Sequence, residues 1–223
     1  MRKLVDGIHR FQSGVFSEQK DLFTRLAKGQ EPDALFITCS DSRVSPTLIT
    51  QTVPGDLFIL RNAGNTIPPY GPLHGAESAA IEYAIEALSV KDIIICGHTH
   101  CGAMKAVLDP AGLDKLPATK GWPTYAEATR RVMTTHYTDL PKGEKLKICV
   151  EENVLVQIEN LRTHPSVLAG ISHGRLRLHA WVYEIESGNV MAFNDRVGQY
   201  LPIAEAGHGV AERPDRLSAI REI

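Results

Sequence analysis

Apolar residues recur at helical spacing at the start of the chain, at Leu4, Ile8, Phe11 and Val15, and again at Leu22, Phe23 and Leu26 before Gly29. Two amphipathic helices are predicted there. The pattern then changes to short apolar runs rich in strand formers, Ala34 to Thr38, Leu57 to Leu60 and Asp92 to Cys96, the last too continuous to belong to a half-exposed strand. Helical periodicity returns over Ala76 to Leu88 and over Glu144 to Leu161, and Ser45-Pro46 reads as a cap and first helical position. Leu176 to Ile185 alternates, turns through Ser187-Gly188-Asn189 and returns as Val190 to Phe193, which predicts a hairpin. Asp109 to Gly143, rich in Pro, Gly and Lys around a helix near Tyr125 to Tyr137, reads as a surface excursion, and the polar tail from Gly207 as loose chain.

Strands alternating with helices predict an α/β fold with a mainly parallel central sheet, helices on both faces, an antiparallel edge hairpin and an N-terminal helical arm. Residues 1–28 form the arm, 29–203 the α/β domain and 204–223 the tail. In such sheets ligands bind beyond the carboxyl ends of the strands. Two polar loops leave there, Cys39 to Arg43 after the first strand and Gly97 to Gly102 after the third, each carrying soft metal-ligand side chains.

Composition narrows the partners. Lys and Arg number 24 against 26 Asp and Glu, with no run of like charge to attract nucleic acid or an anionic membrane surface. No membrane span is predicted. Lys3, Asp6, His9 and Arg10 interrupt the N-terminus, which rules against a secretory signal and makes the cytoplasm the expected compartment. The four cysteines, at 39, 96, 101 and 149, are then metal ligands or buried thiols rather than bridges.

Zinc favours thiolate and imidazole, and a catalytic site keeps three protein ligands with a fourth position open. Cys39, His98 and Cys101 supply that set, and no C-x-x-C pair suggests a structural ribbon. H-x-x-C alone arises by chance and equally describes a packed histidine beside a buried thiol. The pairing with Cys39-Ser40-Asp41-Ser42-Arg43 changes the balance. Together with His98-Thr99-His100-Cys101-Gly102, the Gly55-Asp56 turn, the Arg61-Asn62-Ala63-Gly64-Asn65 loop and the helix around Glu82-Tyr83, it resembles the β-class carbonic anhydrases from Val5 to about Pro202.

The resemblance implies one Zn2+ per chain on Cys39, His98 and Cys101, and reversible hydration of CO2 to bicarbonate. It implies that Arg43 pairs with Asp41, whose carboxylate accepts a hydrogen bond from the zinc-bound hydroxide. Gln30, Phe58, Tyr83 and the backbone amide of Gly102 are the implied substrate contacts. A homodimer, or a tetramer or octamer built from it, is also implied, with Tyr83 coming from the neighbouring subunit. Phe36 stands where a second branch of the family has a tryptophan that binds regulatory bicarbonate, so the plant-type branch is expected. The service the activity performs, including a place in a carbon-concentrating compartment, stays open. Two other readings remain: hydrolysis of carbon disulfide or carbonyl sulfide on the same scaffold, and a non-catalytic zinc-containing scaffold protein. Cys96 and Cys149 lie outside the signature and read as small buried hydrophobes. His100 is a surface histidine or a proton relay.

Overall fold

The computed structural model describes residues 1–72 and 75–206. The chain divides into two compact units, Met1–Glu31 and Pro32 onward. The predicted loose tail from Gly207 lies outside the described residues.

In the first unit, α1 (Arg2–Arg10) continues through a π-helical stretch, Phe11–Val15, and a last turn, Phe16–Glu18, before α2 (Lys20–Leu26). The predicted pair of helices is present, with the first running further than its apolar spacing indicated. Phe11, Phe16 and Phe23 form a ring cluster with centroids 5.1 to 6.0 Å apart. Leu4, Val5, Ile8 and Val15 nevertheless remain exposed.

In the second unit, β1 (Ala34–Cys39), β2 (Leu57–Asn62), β3 (Asp92–His98) and β4 (Arg177–Tyr183) are parallel, and β5 (Val190–Asn194) and β6 (Gln199–Pro202) extend the sheet antiparallel. The strand order is β2-β1-β3-β4-β5-β6. The expected mainly parallel sheet, helical surround and antiparallel edge are all present. The edge gains a third strand, β6, too short and polar to read from pattern. The strands also run past their apolar cores, so Cys39 and His98 are the last residues of β1 and β3 instead of loop residues.

The helices of this unit are α3 (Pro46–Thr50), α4 (Ala76–Glu82), α5 (Gly102–Leu108), α6 (Pro117–Gly121), α7 (Glu127–His136), α8 (Lys142–Leu161) and α9 (Pro165–Ser172). A π-helical stretch, Tyr83–Ala87, extends α4. One sheet face, with Leu35, Ile37, Ile93, Ile95, Leu178 and Val182, packs against α8 through Val150, Val154 and Ile158. Burial of side chains of this size contributes about 1.5–3 kcal/mol each. The other face carries Phe36, Ile94 and Cys96 with Trp181. Gly97 lets α8 come close, because a Cβ there would lie 2.8 Å from Val154 Cγ2. The excursion from Asp109 is no mere surface loop: Ala126, Thr129 and Met133 are buried.

Candidate metal centre

The parallel register places β1 beside β3, so Cys39 and His98 reach the same rim of the sheet. Cys101 follows on the turn into α5. His100 takes a left-handed φ of 58° in that turn, which brings Cys101 back towards His98. The sulfurs of Cys39 and Cys101 and a ring nitrogen of His98 lie within 4.8 Å of one another, and all three residues are buried.

The imidazole of His98 is oriented from behind. Nδ1 lies 2.8 Å from the carbonyl oxygen of Thr99, an acceptor only, so Nδ1 carries the proton. Nε2 then presents a lone pair, and it is buried with no hydrogen-bond partner. An orphaned buried acceptor facing two thiols is costly unless a cation sits there. The thiols give the same indication. The Cys101 thiol, with the Gly64 and Asp41 amides, lowers the Cys39 pKa against the cost of burial. The neighbouring Cys39 thiolate, with burial, raises that of Cys101. A divalent cation between them removes the repulsion that keeps the second proton on.

Asp41 lies beside this cluster, its Oδ2 3.9 Å from His98 Nε2. Both carboxylate oxygens are held by Arg43: Nε donates to Oδ1 at 2.9 Å, Nη2 to Oδ2 at 2.8 Å, and the Arg43 amide to Oδ1 at 3.0 Å. The Arg43 guanidinium accordingly holds Asp41 well below the usual carboxylate range. Arg43 Nη2 also reaches the carbonyl of His100 at 3.3 Å, tying the two ligand loops together.

Arg61 and the turn after β2 hold positions that residue patterns do not reveal. Arg61 donates to the carbonyls of Cys39, at 3.0 and 3.1 Å, and Asp41, at 2.7 Å, clamping the exit of β1. Gly64 has a φ of 77°, and its amide donates to Cys39 Sγ at 3.4 Å. A Cβ on Gly64 would lie 2.9 Å from that of Ala103 on α5. A buried ladder on α8 braces the same turn: Asn153 Nδ2 donates to the Gly64 carbonyl at 3.1 Å, and Gln157 Oε1 accepts from the Ile67 amide at 2.7 Å. The RNAGN motif was the only sequence signal for this brace, and it assigned no role to Arg61 or Gly64.

Of the expected substrate contacts, Phe58 on β2 and Tyr83 after α4 pack together with ring centroids 6.0 Å apart. They belong to one chain, so whichever subunit supplies Tyr83 to a pocket supplies Phe58 with it. Gly102 opens α5 directly after Cys101 and is exposed. Gln30 is exposed in the first unit, beyond α2. Phe36 is buried against Trp181, 6.1 Å between centroids. The His100 ring is half-exposed and meets Glu186 at 3.2 Å, so only its carbonyl reaches the dyad.

The carbonic anhydrase family model matches residues 34–190. A carbonic anhydrase of Synechocystis sp. is 49% identical over 195 residues, which are 87% of this chain and 71% of the relative. One from Pseudomonas aeruginosa is 48% identical over 205 residues, 92% of this chain and 93% of its own length. Among solved structures, the β-carbonic anhydrase CcaA superposes with a TM-score of 0.89 at 47% identity over 91% of both chains. Tetrameric β-carbonic anhydrases of Sordaria macrospora superpose at 0.77 with 26% identity, over 94% of this chain and 98% of theirs.

Proposed function

We propose, on the premise that this chain belongs to the β-carbonic anhydrase family and catalyses the reversible hydration of carbon dioxide to bicarbonate and a proton, that the reaction runs on one zinc ion held by Cys39, His98 and Cys101. The observation that carries the zinc assignment is the buried, unpartnered Nε2 of His98 facing two thiols. Zinc bound there supplies a Lewis acid that makes water a nucleophile near neutral pH, an effect for which carbonic anhydrases are the standard illustration.

The protein's own contribution is orientation. Asp41 is the acceptor placed beside the ligand cluster, and Arg43 holds both of its oxygens. Pinned in this way, the carboxylate stays off the metal and keeps lone-pair capacity at Oδ2 for a proton of the attacking water, which fixes the direction of attack on the carbon of CO2. Phe58 and Tyr83 supply pocket walls, and the Gly102 amide is a donor for the developing carboxylate oxygen. Relatives of this fold form tetramers, and a homodimer or a higher homo-oligomer is the assembly we assign. The buried Phe36 supports the plant-type branch. No helix among the described residues is long and apolar enough to cross a membrane, and the cytoplasm is the compartment proposed.

The deciding experiment is stopped-flow CO2 hydration on protein of measured zinc content, with sulfide release from carbon disulfide and carbonyl sulfide assayed in parallel. Hydration proportional to zinc supports the reading. Zinc-replete protein that releases sulfide but does not hydrate CO2 would overturn it in favour of the hydrolase.

A further inference from the structure

The peptide unit between Ala63 and Gly64 joins the metal site to a distant part of the chain. Its N–H end donates to Cys39 Sγ at 3.4 Å. Its C=O end accepts a short hydrogen bond, 2.7 Å, from the indole Nε1 of Trp122, beside a longer one, 3.3 Å, from the Thr66 hydroxyl. Trp122 lies between α6 and α7, in the excursion the sequence presented as surface, and is 59 residues from Ala63. Its ring is held edge-on by Tyr125, 5.3 Å between centroids. Since N–H and C=O point oppositely across a trans peptide, the indole both aims the amide at the sulfur and polarises it.

We infer that Trp122 is a positioning residue for the metal site, tuning the Cys39 thiolate through the Ala63–Gly64 peptide; this rests on the zinc assignment above. An N–H bond withdraws electron density from a thiolate, so the sulfur donates less to the metal and the metal stays a stronger Lewis acid. In a site with two thiolate donors that restraint matters, because each already softens the charge on the ion. The Gly64 carbonyl, on the other side of the turn, is held separately by Asn153, so removing the indole bond does not release the whole loop.

The test compares Trp122→Phe, which keeps a ring against Tyr125 and removes the donor, with the parent protein, both loaded with cobalt in place of zinc. If Trp122→Phe fails to fold, β-(3-benzothienyl)alanine at position 122 keeps the full ring volume without the N–H. Expected are a thiolate-to-cobalt charge-transfer band moved to longer wavelength and, in the zinc forms, a kcat pH midpoint raised by about 0.3–0.5 unit. A merely structural role would lower stability and move neither. Variants loaded as fully as the parent with either quantity unmoved overturn this inference alone. A parent that takes up no cobalt overturns the metal assignment and the inference with it.

Discussion

Cys96 and Cys101 belong to the same strand and its exit turn and are equally buried, at 0% and 1% exposure, yet they inhabit opposite chemical worlds. Cys96 lies within the sheet among Phe36, Ile94 and Trp181, and burial pushes its thiol up to about 12. Cys149, on α8, is likewise pushed to about 12 by burial. At the rim, Cys101 and its neighbour Cys39 face one another, an imidazole lone pair and inward-pointing amides of Gly64, Ala103 and Met104. Burial alone therefore does not make a thiol inert. What decides is which donors reach the sulfur: the Cys101 thiol first, then the Gly64 and Asp41 amides, lower Cys39, and the thiolate so favoured, with burial, raises Cys101.

The sharpest way to break this contrast is to delete thiols one at a time. Cys39→Ala or Cys101→Ala should abolish bound metal and hydration together, whereas Cys96→Ala should keep both at parental levels. Metal analysis beside stopped-flow rates checks this, and a metal-free Cys96→Ala protein would break the comparison. Arg43→Ala comes next. It frees the Asp41 carboxylate while leaving all three ligands, so metal content should hold while kcat/KM falls roughly a hundredfold.

A smaller effect separates the thiol classes by pH. Cys96 and Cys149 have native pKa values raised from the ordinary 9.0 to about 12. Their neutral forms thus favour the folded state fully below pH 9.0, and that contribution is lost as pH rises from 9.0 through about 12, because the unfolded chain releases those protons first. Cys96→Ala and Cys149→Ala should each flatten the alkaline fall in denaturation free energy. A slope that stays parental in the double variant would show that other groups cause it. The smallest effect is expected at His100. Its ring meets the exposed Glu186, a surface pair worth little, so His100→Ala should change kcat/KM by less than about twofold. A large loss specific to weak buffers would instead identify a proton relay.

The clustering of Cys39, His98 and Cys101 was legible because soft ligand side chains leave two strand ends together, and the Asp41–Arg43 pair was legible through the family resemblance that its motif carries. Strand cores were legible for a related reason, since Leu35, Ile37, Ile93 and Ile95 have no alternative to burial. Strand ends were not. Asn62 and His98 are polar, and they belong to β2 and β3 only because backbone pairing continues past the apolar run. Arg61 and Trp122 were missed for a third reason: both act on main-chain carbonyls, and a carbonyl leaves no signature in a sequence. The burial of Met133 behind a Pro- and Gly-rich segment was hidden likewise, because its partners come from other elements.

The bracing of the metal loops by α8 has a kinetic consequence. Asn153 meets Gly64 across 89 residues and Gln157 meets Ile67 across 90. Contacts so distant along the chain close late in folding, after the local helices have formed. A chain still being synthesised presents Cys39, His98 and Cys101 before α8 has emerged to brace the Gly64 turn that faces Cys39. A metal held by these three residues would then find its site complete only after that helix has docked, and the docking would set the time the two thiols spend unguarded.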